Sequence, residues 1–421
     1  MRQHTSFDKD AFINLVPNKG IQLGIQRMRM TRHLAIIAAC LGYISATTTP
    51  AQTPSPDEMW KIIQQQSEEI KELRAKIGQS DEVLDQVIEK TESLESGDLS
   101  GSDVQLGGYG ELHYNSLNGS NGSTDLDRID FHRFVMFFGH DFSDSIRFFS
   151  EVELEHSLAG EGQPGEVELE QAYIEFDMDS GQTARAGLFL MPVGLLNETH
   201  EPDTFYGVER NSVEKYIIPT TWWEGGLSLS GEFGEGLNYD LAFTSGLDAP
   251  DGDIRSGRQK VASATAESGA WTGRIRHNRP GFEAGLTLHR QNDLSQGAAD
   301  DEVEGNLYEG HIAIERGNFT LRALYASWDV DGDAAEAVGR DELEGWYIEP
   351  SLKINEQLGV FARFSEWDRQ AGNSDDTEIG QVDFGFNYWP HENVVLKADY
   401  QNQDGDSGER DGLNLGVGFS F

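Results

Sequence analysis

Basic residues recur where a two-residue alternation places them on the polar face of predicted strands. These residues are Arg185, Arg274, Arg276, Arg322, Arg363 and Lys397. A row of such cations could replace part of the hydration shell of an anion by charge-assisted hydrogen bonds. The alternative is that each cation pairs with a carboxylate on the same face, such as Glu151, Glu153, Glu175 or Asp399. The surplus of carboxylates in the chain favours this alternative.

Patterns for catalysis or for a metal ion are weak. The segment 329–342 begins like a calcium-binding loop, but Ala334 and Arg340 stand where that loop needs a glycine and a bidentate glutamate. The histidines lack metal-ligand spacing, and neither a G-x-S-x-G elbow nor a glycine-rich phosphate loop occurs. We therefore predict no catalytic residue, no metal site and no cofactor.

The elements that position the basic residues are predicted strands. From Val104 onward the hydrophobic period is two, and short turns alternate with long polar loops up to the end of the chain. Seven short turns and eight long loops make fifteen connections, so the pattern predicts sixteen strands. On 146–155 one face is apolar and the other carries Arg147 and glutamates, which suits a strand between lipid and a water-filled lumen.

These observations predict an all-β, 16-stranded antiparallel transmembrane β-barrel over 104–421. Its apolar face would contact outer-membrane lipid, and aromatic residues near strand ends would lie at the lipid headgroups. The aromatic residues are Trp222, Trp223, Trp271, Trp346, Tyr347, Tyr388, Trp389 and Tyr400. The alternative architecture is a soluble secreted β-sandwich that binds a ligand, although such a fold needs more buried aliphatic residues on both sheets.

Net charge excludes one class of partner. The chain carries a net charge of -41, so the phosphates of a nucleic acid would be repelled and no nucleic-acid binding is expected. The acidic external loops could hold divalent cations beside lipopolysaccharide. The single cysteine, Cys40, precedes the predicted mature chain, as is compatible with export.

The N-terminal part divides into two predicted segments. Residues 1–53 contain upstream sequence and a cleaved signal peptide, with a basic region, an apolar run over 34–44 and small residues behind it. Residues 54–103 form a predicted α-helical coiled-coil segment and linker in the periplasm, because apolar residues from Met59 to Leu94 keep a seven-residue period. A coiled coil needs partner helices and so predicts an oligomer; the alternative is a lone amphipathic helix.

Several stretches are similar to those of a known family. The segments "GGYGELHY", "FHRFVMFFGHDFSDSIRFFSEVELEH", "ARAGLFLMPVGLLNETHEP" and "VERNSVEKYIIPTTWWEGG" resemble the phosphate-selective porin O and P family, mainly over 104–250. The resemblance implies a homotrimeric porin of a Gram-negative outer membrane, in which the loop after the fifth strand folds inward and narrows the pore. That loop would be 192–221, and the terminal Phe421 resembles the signal recognised by the barrel-assembly machinery.

The inward loop supplies further candidate residues for the constriction. These candidates are Glu198, Glu201, Asp203, Glu209, Arg210 and Lys215. The sequence thus predicts a passive diffusion channel for inorganic ions or small hydrophilic solutes, with some anion preference set by Arg210 and Lys215. The family resemblance adds a preference for phosphate as the narrower expectation. An outer-membrane barrel enzyme of lipase type, with a serine–histidine pair, remains an alternative.

Overall fold

The computed structural model describes residues 104–179, 181–375, 377–405 and 408–421. The predicted signal peptide and the predicted coiled-coil segment lie outside these residues. The described residues form sixteen strands. The strands are β1 Val104–Gly119, β2 Leu126–Ser143, β3 Ile146–Glu155, β4 Val167–Asp177, β5 Thr183–Leu190, β6 Trp223–Gly234, β7 Leu237–Thr244, β8 Ala270–Arg279, β9 Phe282–Gln291, β10 Glu304–Arg316, β11 Phe319–Asp331, β12 Glu342–Lys353, β13 Leu358–Asp368, β14 Ile379–His391, β15 Val394–Gly405 and β16 Arg410–Ser420.

The strands close into one barrel in which every strand pairs with its sequence neighbours. All pairings are antiparallel, and β1 pairs with β16 to complete the ring, with Tyr114 opposite Leu415. Beyond β16, the backbone groups of Gly108 and Phe421 exchange two hydrogen bonds at 3.0 and 2.9 Å. The prediction of a sixteen-stranded antiparallel barrel is confirmed, and the β-sandwich alternative is wrong because a closed ring leaves no second sheet.

Two short helices lie in the connections, α1 (Ser212–Tyr216) and α2 (Asp333–Glu336). No helix among the described residues combines the length and apolar character needed to cross a membrane. Consecutive connections alternate between the two ends of the barrel, as antiparallel pairing of consecutive strands requires, and every connection of more than five residues emerges at the same end.

The last strand shows how the two faces of the barrel differ. Leu413, Leu415 and Val417 are about 40 % exposed on the outer face, whereas Asn414 between them is 1 % exposed on the inner face. The inner face also carries Gly418, where an added Cβ would lie 2.5 Å from Cβ of Pro202. The small residues of this strand therefore leave room for a loop that lies inside the barrel.

Two bulges that break the alternation lie on β2 and on β4. The β1–β2 register shifts beside Glu111, so that His132 and Arg133 both point inward. The β3–β4 register shifts between Glu151 and Val152, and Glu170 is the extra residue on β4. Bulges commonly re-aim side chains in this way.

An apolar cluster fills part of the barrel interior, which the sequence did not indicate. It includes Trp222, Trp328 and Tyr347, each at most 2 % exposed, together with Ile217 and Leu247. The expected headgroup position of Trp222, Trp223 and Tyr347 is therefore wrong, because these rings face the interior. Trp271 and Tyr400, by contrast, are exposed on the outer face.

Candidate functional site

The connection between β5 and β6, residues 191–222, is the longest in the described part of the chain, and we call it the inward loop. Asn197 joins its two ends: its side-chain amide donates to the carbonyl oxygens of Met191 and Trp222 at 2.8 Å, and its side-chain oxygen accepts from the Trp222 N–H at 2.8 Å. The loop therefore returns to its starting point as a compact unit.

A buried carboxylate organises the interior of this loop. Asn211 caps helix α1 by accepting a hydrogen bond from the N–H of Glu214. The Glu214 carboxylate in turn accepts from the N–H groups of Leu195 and Leu196 at 3.0 and 2.6 Å, and from the hydroxyl of Tyr347 at 2.8 Å. Burial raises the pKa of Glu214, although these donors oppose the shift.

Side chains of four barrel strands hold the backbone of residues 204–208. Arg322 donates to the carbonyl oxygen of Thr204 at 3.2 Å, and Arg363 to that of Tyr206 at 2.6 Å. Asn387 donates to the carbonyl oxygen of Phe205 at 3.0 Å, and Lys397 to that of Gly207 at 2.8 Å. The Val208 N–H donates to the carboxylate of Asp399 at 2.7 Å. The wall from β11 to β15 thus fixes the loop inside the barrel.

Most of the predicted basic residues of the wall also have an acidic partner. Arg185 pairs with Glu175 at 2.7 Å, and Arg363 pairs with Glu349 at 2.6 Å and with Asp383 at 3.5 Å. Arg274 lies between Asp240 and Glu198, and Arg276 is 4.0 Å from Glu283. These contacts agree with the alternative considered from the sequence, in which neighbouring carboxylates neutralise the basic residues of the wall. Glu175 is the one partner here that the sequence analysis had named; the other acidic partners differ from those expected.

The acidic candidates of the inward loop contact different parts of the structure. Glu198 meets Arg274 of the wall, and Asp203 accepts from the hydroxyl of Ser420 at 3.3 Å. Glu209 lies 3.1 Å from Nδ1 of His113 and 4.0 Å from Nζ of Lys215. Burial would raise the pKa of Glu209, but His113 and Lys215 hold it well below its usual range. Burial raises the pKa of Glu201 although His200 opposes the shift.

Arg210 differs from the wall arginines. Its Nη1 donates to the hydroxyl of Thr221 at 2.6 Å, whereas Nε and Nη2 are buried without a hydrogen-bond partner. Two interior cavities, of about 240 and 340 Å³, are both lined by Glu209, Arg210 and Lys215. Of the predicted candidates, the structure thus brings Glu209, Arg210 and Lys215 together, with Arg363 of the wall lining the larger of the two cavities, and places the others elsewhere along the wall and the loop.

Sequence reasoning missed two further arginines, which belong to the connection 245–269. Arg255 donates to the carbonyl oxygens of Lys215 and Thr220, and Arg258 to those of Pro219 and Thr221. Neither makes an ion pair with a carboxylate among the described residues, and both line the 240 Å³ cavity. Burial lowers the pKa of Arg258, and burial together with Arg258 lowers the pKa of Arg255 to about 10. The only signal in the sequence was the length of this loop.

Comparisons with known proteins identify one relative and a shared fold. The chain is 30% identical over 346 residues to an uncharacterized protein of Aquifex aeolicus, covering 72% of this chain and 76% of that protein. No family model matches the chain.

Solved structures with a similar fold include an outer-membrane channel and a porin. The outer membrane channel DcaP of Acinetobacter baumannii has a TM-score of 0.55 and 14% identity, covering 77% of this chain and 99% of that chain. An anion-selective porin from Comamonas acidovorans has a TM-score of 0.57 and 12% identity, covering 76% of this chain and all of that chain. At such identities the likeness establishes the barrel fold.

Proposed function

We propose that this chain, which belongs to the same family as the uncharacterized Aquifex aeolicus protein, is a passive diffusion channel for small hydrophilic solutes in a Gram-negative outer membrane. The observation that carries the proposal is the division of the barrel surface. The outer face of β16 presents Leu413, Leu415 and Val417, whereas inward positions carry arginines, carboxylates and amides beside open cavities. Such a distribution suits lipid outside and water inside.

The fold supports the same function. An outer-membrane channel and a porin named anion-selective have a similar fold and match this chain along nearly their whole length. The inward loop occupies part of the lumen here, so passage would be limited to small solutes. The resemblance of several segments to the phosphate-selective porin O and P family points in the same direction, but we assign no phosphate site.

Channel activity is tested with purified protein in planar lipid bilayers. We expect discrete conductance steps whose size depends on salt concentration. A correctly folded barrel that never conducts, but hydrolyses ester substrates, would support the lipase-like alternative instead. Among the described residues no serine hydroxyl makes a hydrogen bond to a histidine ring, so no contact favours that alternative.

We further propose that the channel prefers anions, because three arginines of the loops lack carboxylate partners. Arg210, Arg255 and Arg258 line one cavity and make no ion pair with any described carboxylate, whereas Lys215 is 4.0 Å from Glu209. Long-range fields of the acidic outer loops are screened within about 10 Å at 0.1 M salt. The net charge of the whole chain therefore need not decide the sign of the preference.

The reversal potential in a KCl gradient measures this preference directly. In an anion-selective channel the reversal potential has the same sign as the equilibrium potential of chloride. A potential of the opposite sign would overturn the anion proposal while leaving the channel proposal intact.

We propose that the protein is a homotrimer inserted by the barrel-assembly machinery through a signal that ends at Phe421. The support for an oligomer is the seven-residue period from Met59 to Leu94. Deleting residues 54–100 should leave a barrel that inserts into membranes but forms a less stable oligomer. A full-length protein that is monomeric in mild detergent would contradict this proposal.

A further inference from the structure

Three buried side chains that can each ligate a metal ion meet where the inward loop contacts β3 and β4. They are His200 of the loop, Glu151 of β3 and Glu170 of β4, and each is 2 % exposed. The candidate ligand atoms all lie within 4.8 Å of one another. Sequence spacing could not indicate this group, since the three residues come from separate elements and the β4 bulge turns Glu170 inward.

The facing atoms of these side chains have no hydrogen-bond partner. Nε2 of His200 lies 3.7 Å from Oε1 of Glu151 and 3.5 Å from Oε2 of Glu170, and none of these three atoms makes a hydrogen bond. Buried polar atoms left without partners cost free energy, so an unpaired group of three calls for an explanation. Two ligands of one tetrahedral zinc ion, each about 2.1 Å from the metal, lie about 3.4 Å apart. The observed separations are close to that value.

Neighbouring groups orient the ligands as they do in metal sites. Nδ1 of His200 donates to the carbonyl oxygen of Asn197 at 3.1 Å, which leaves the lone pair of Nε2 directed at the carboxylates. The amide of Gln171 donates to the second oxygen of Glu151 at 2.6 Å. Glu170 also lines the 240 Å³ cavity, which provides an entry path.

We propose that Glu151, Glu170 and His200 bind a divalent transition-metal ion of the zinc type, which joins the inward loop to the β3–β4 wall. One imidazole nitrogen and two carboxylates suit zinc better than calcium or magnesium, which prefer oxygen ligands alone. The competing occupant is a proton on His200. A proton supplies one positive charge against two carboxylates, whereas a divalent ion supplies two. The guanidinium of Arg133, which acts on Glu151, is already paired with Glu111.

Zinc binding is measured with the full-length protein, folded in detergent and stripped with a chelator. We expect one tightly bound zinc ion per chain, and binding at least about tenfold weaker in Glu170→Gln and His200→Gln, because each removes a ligand. Glu155→Gln removes another inward glutamate of β3 and should leave binding unchanged. His132→Gln belongs to a second, more exposed group, Asp130, His132 and His156, and should also leave this zinc in place.

A spectroscopic variant keeps the proposal testable if a glutamine variant misfolds. His200→Cys in the mature chain, which lacks Cys40, should bind cobalt with a thiolate-to-cobalt charge-transfer band, which then arises only if residue 200 is a ligand. Absence of zinc uptake by the wild-type protein would favour the protonated imidazole and overturn the proposal. Uptake that survives Glu170→Gln and His200→Gln but is lost in His132→Gln would place the metal in the exposed group instead. Neither result depends on conductance, so the channel proposal is judged separately.

Discussion

The barrel wall and the loops satisfy their buried charges in different ways. On the wall, Arg363 is held by Glu349 and Asp383, and Arg185 is held by Glu175. In the loops, Arg210 contacts a threonine hydroxyl, and Arg258 contacts three backbone carbonyl oxygens. The same type of side chain is therefore paired with an opposite charge in one region and hydrogen-bonded only to neutral groups in the other.

This difference means that a cation can face the lumen without being available to attract a passing solute. A guanidinium that is paired with carboxylates already uses its N–H donors in those contacts. The electric field of its positive charge is largely cancelled by the carboxylates a few ångströms away. A guanidinium that contacts only dipoles keeps its net charge. Counting inward arginines along the strands therefore overestimates the anion-attracting capacity of the wall and overlooks that of the loops.

The largest effect is expected from breaking a wall pair. Arg363→Ala leaves Glu349 and Asp383 buried without their cation and releases the carbonyl oxygen of Tyr206. Removing one partner of a buried pair typically costs roughly 3–5 kcal/mol. We expect a loss of that order in the free energy of unfolding, measured by urea titration of tryptophan fluorescence in lipid vesicles.

A double variant provides the control for this prediction. Arg363→Ala combined with Glu349→Gln removes the nearer of the two carboxylate charges that Arg363→Ala leaves behind, so it should be less destabilised than the single variant. Equal losses in the two proteins would mean that the ion pair is not the cause, and the contrast between wall and loop would lose its basis.

A middle-sized effect should follow from filling the space that β16 leaves for the inward loop. In Gly418→Ala the new Cβ would lie 2.5 Å from Pro202, so the loop must shift. Overpacking of this kind costs about 1–3 kcal/mol, and a displaced loop should also raise the single-channel conductance. Gly273→Ala on β8, whose nearest contact would be 3.6 Å away, is the matched control. Unchanged conductance in Gly418→Ala would argue against a narrowing role for this part of the loop.

A smaller effect, on selectivity rather than stability, is expected from removing a loop cation. In water a unit charge about 4 Å away contributes roughly 1 kcal/mol, or about a fivefold change in relative permeability. Arg210→Ala should therefore reduce anion preference by about that factor in a KCl gradient, with little change in stability. Arg290→Ala removes an arginine from the outer face and should change nothing. Anion preference that survives both Arg210→Ala and Lys215→Ala would move the selective site to the wall or to Arg255 and Arg258.

Local sequence patterns were sufficient to predict the barrel, because strands and turns are each specified by a few neighbouring residues. The alternation on β16 and the turn residues between strands each depend on a few neighbouring positions, and closure follows when every strand pairs with the next. The inward direction of His132 and Glu170 escaped the same reasoning. Each lies at a bulge, where one extra residue reverses the phase of the strand.

The candidate site was less accessible from the sequence because its contacts join distant elements. The pairing of Arg363 with Glu349 depends on the register between β12 and β13, and the contact of Arg258 with Pro219 depends on how two loops fold together. Likewise, Trp222 resembles a headgroup aromatic in sequence but packs inside, because the inward loop supplies an apolar surface there. Such contacts are decided by tertiary structure and leave no periodic signal.

The smallest expected effect concerns Glu214, the acidic counterpart of the loop arginines, which is held by amide and hydroxyl donors without a cation. Burial raises the pKa of Glu214 in the folded loop. The folded loop therefore binds a proton at Glu214 more tightly than the locally unfolded loop does. The stabilisation is then fully present below about pH 4.3, the ordinary pKa of glutamate, and is lost as the pH rises through the raised pKa. Hydrogen exchange at the amides of Leu195 and Leu196, corrected for intrinsic rates, should show decreasing protection as the pH rises over that range.

Two variants provide the controls for this measurement. Glu214→Gln should remove the pH dependence of protection, whereas Glu201→Gln should retain it. If the dependence instead persists in Glu214→Gln and disappears in Glu201→Gln, the proton is bound at Glu201, and the organising carboxylate of the loop is ionised throughout.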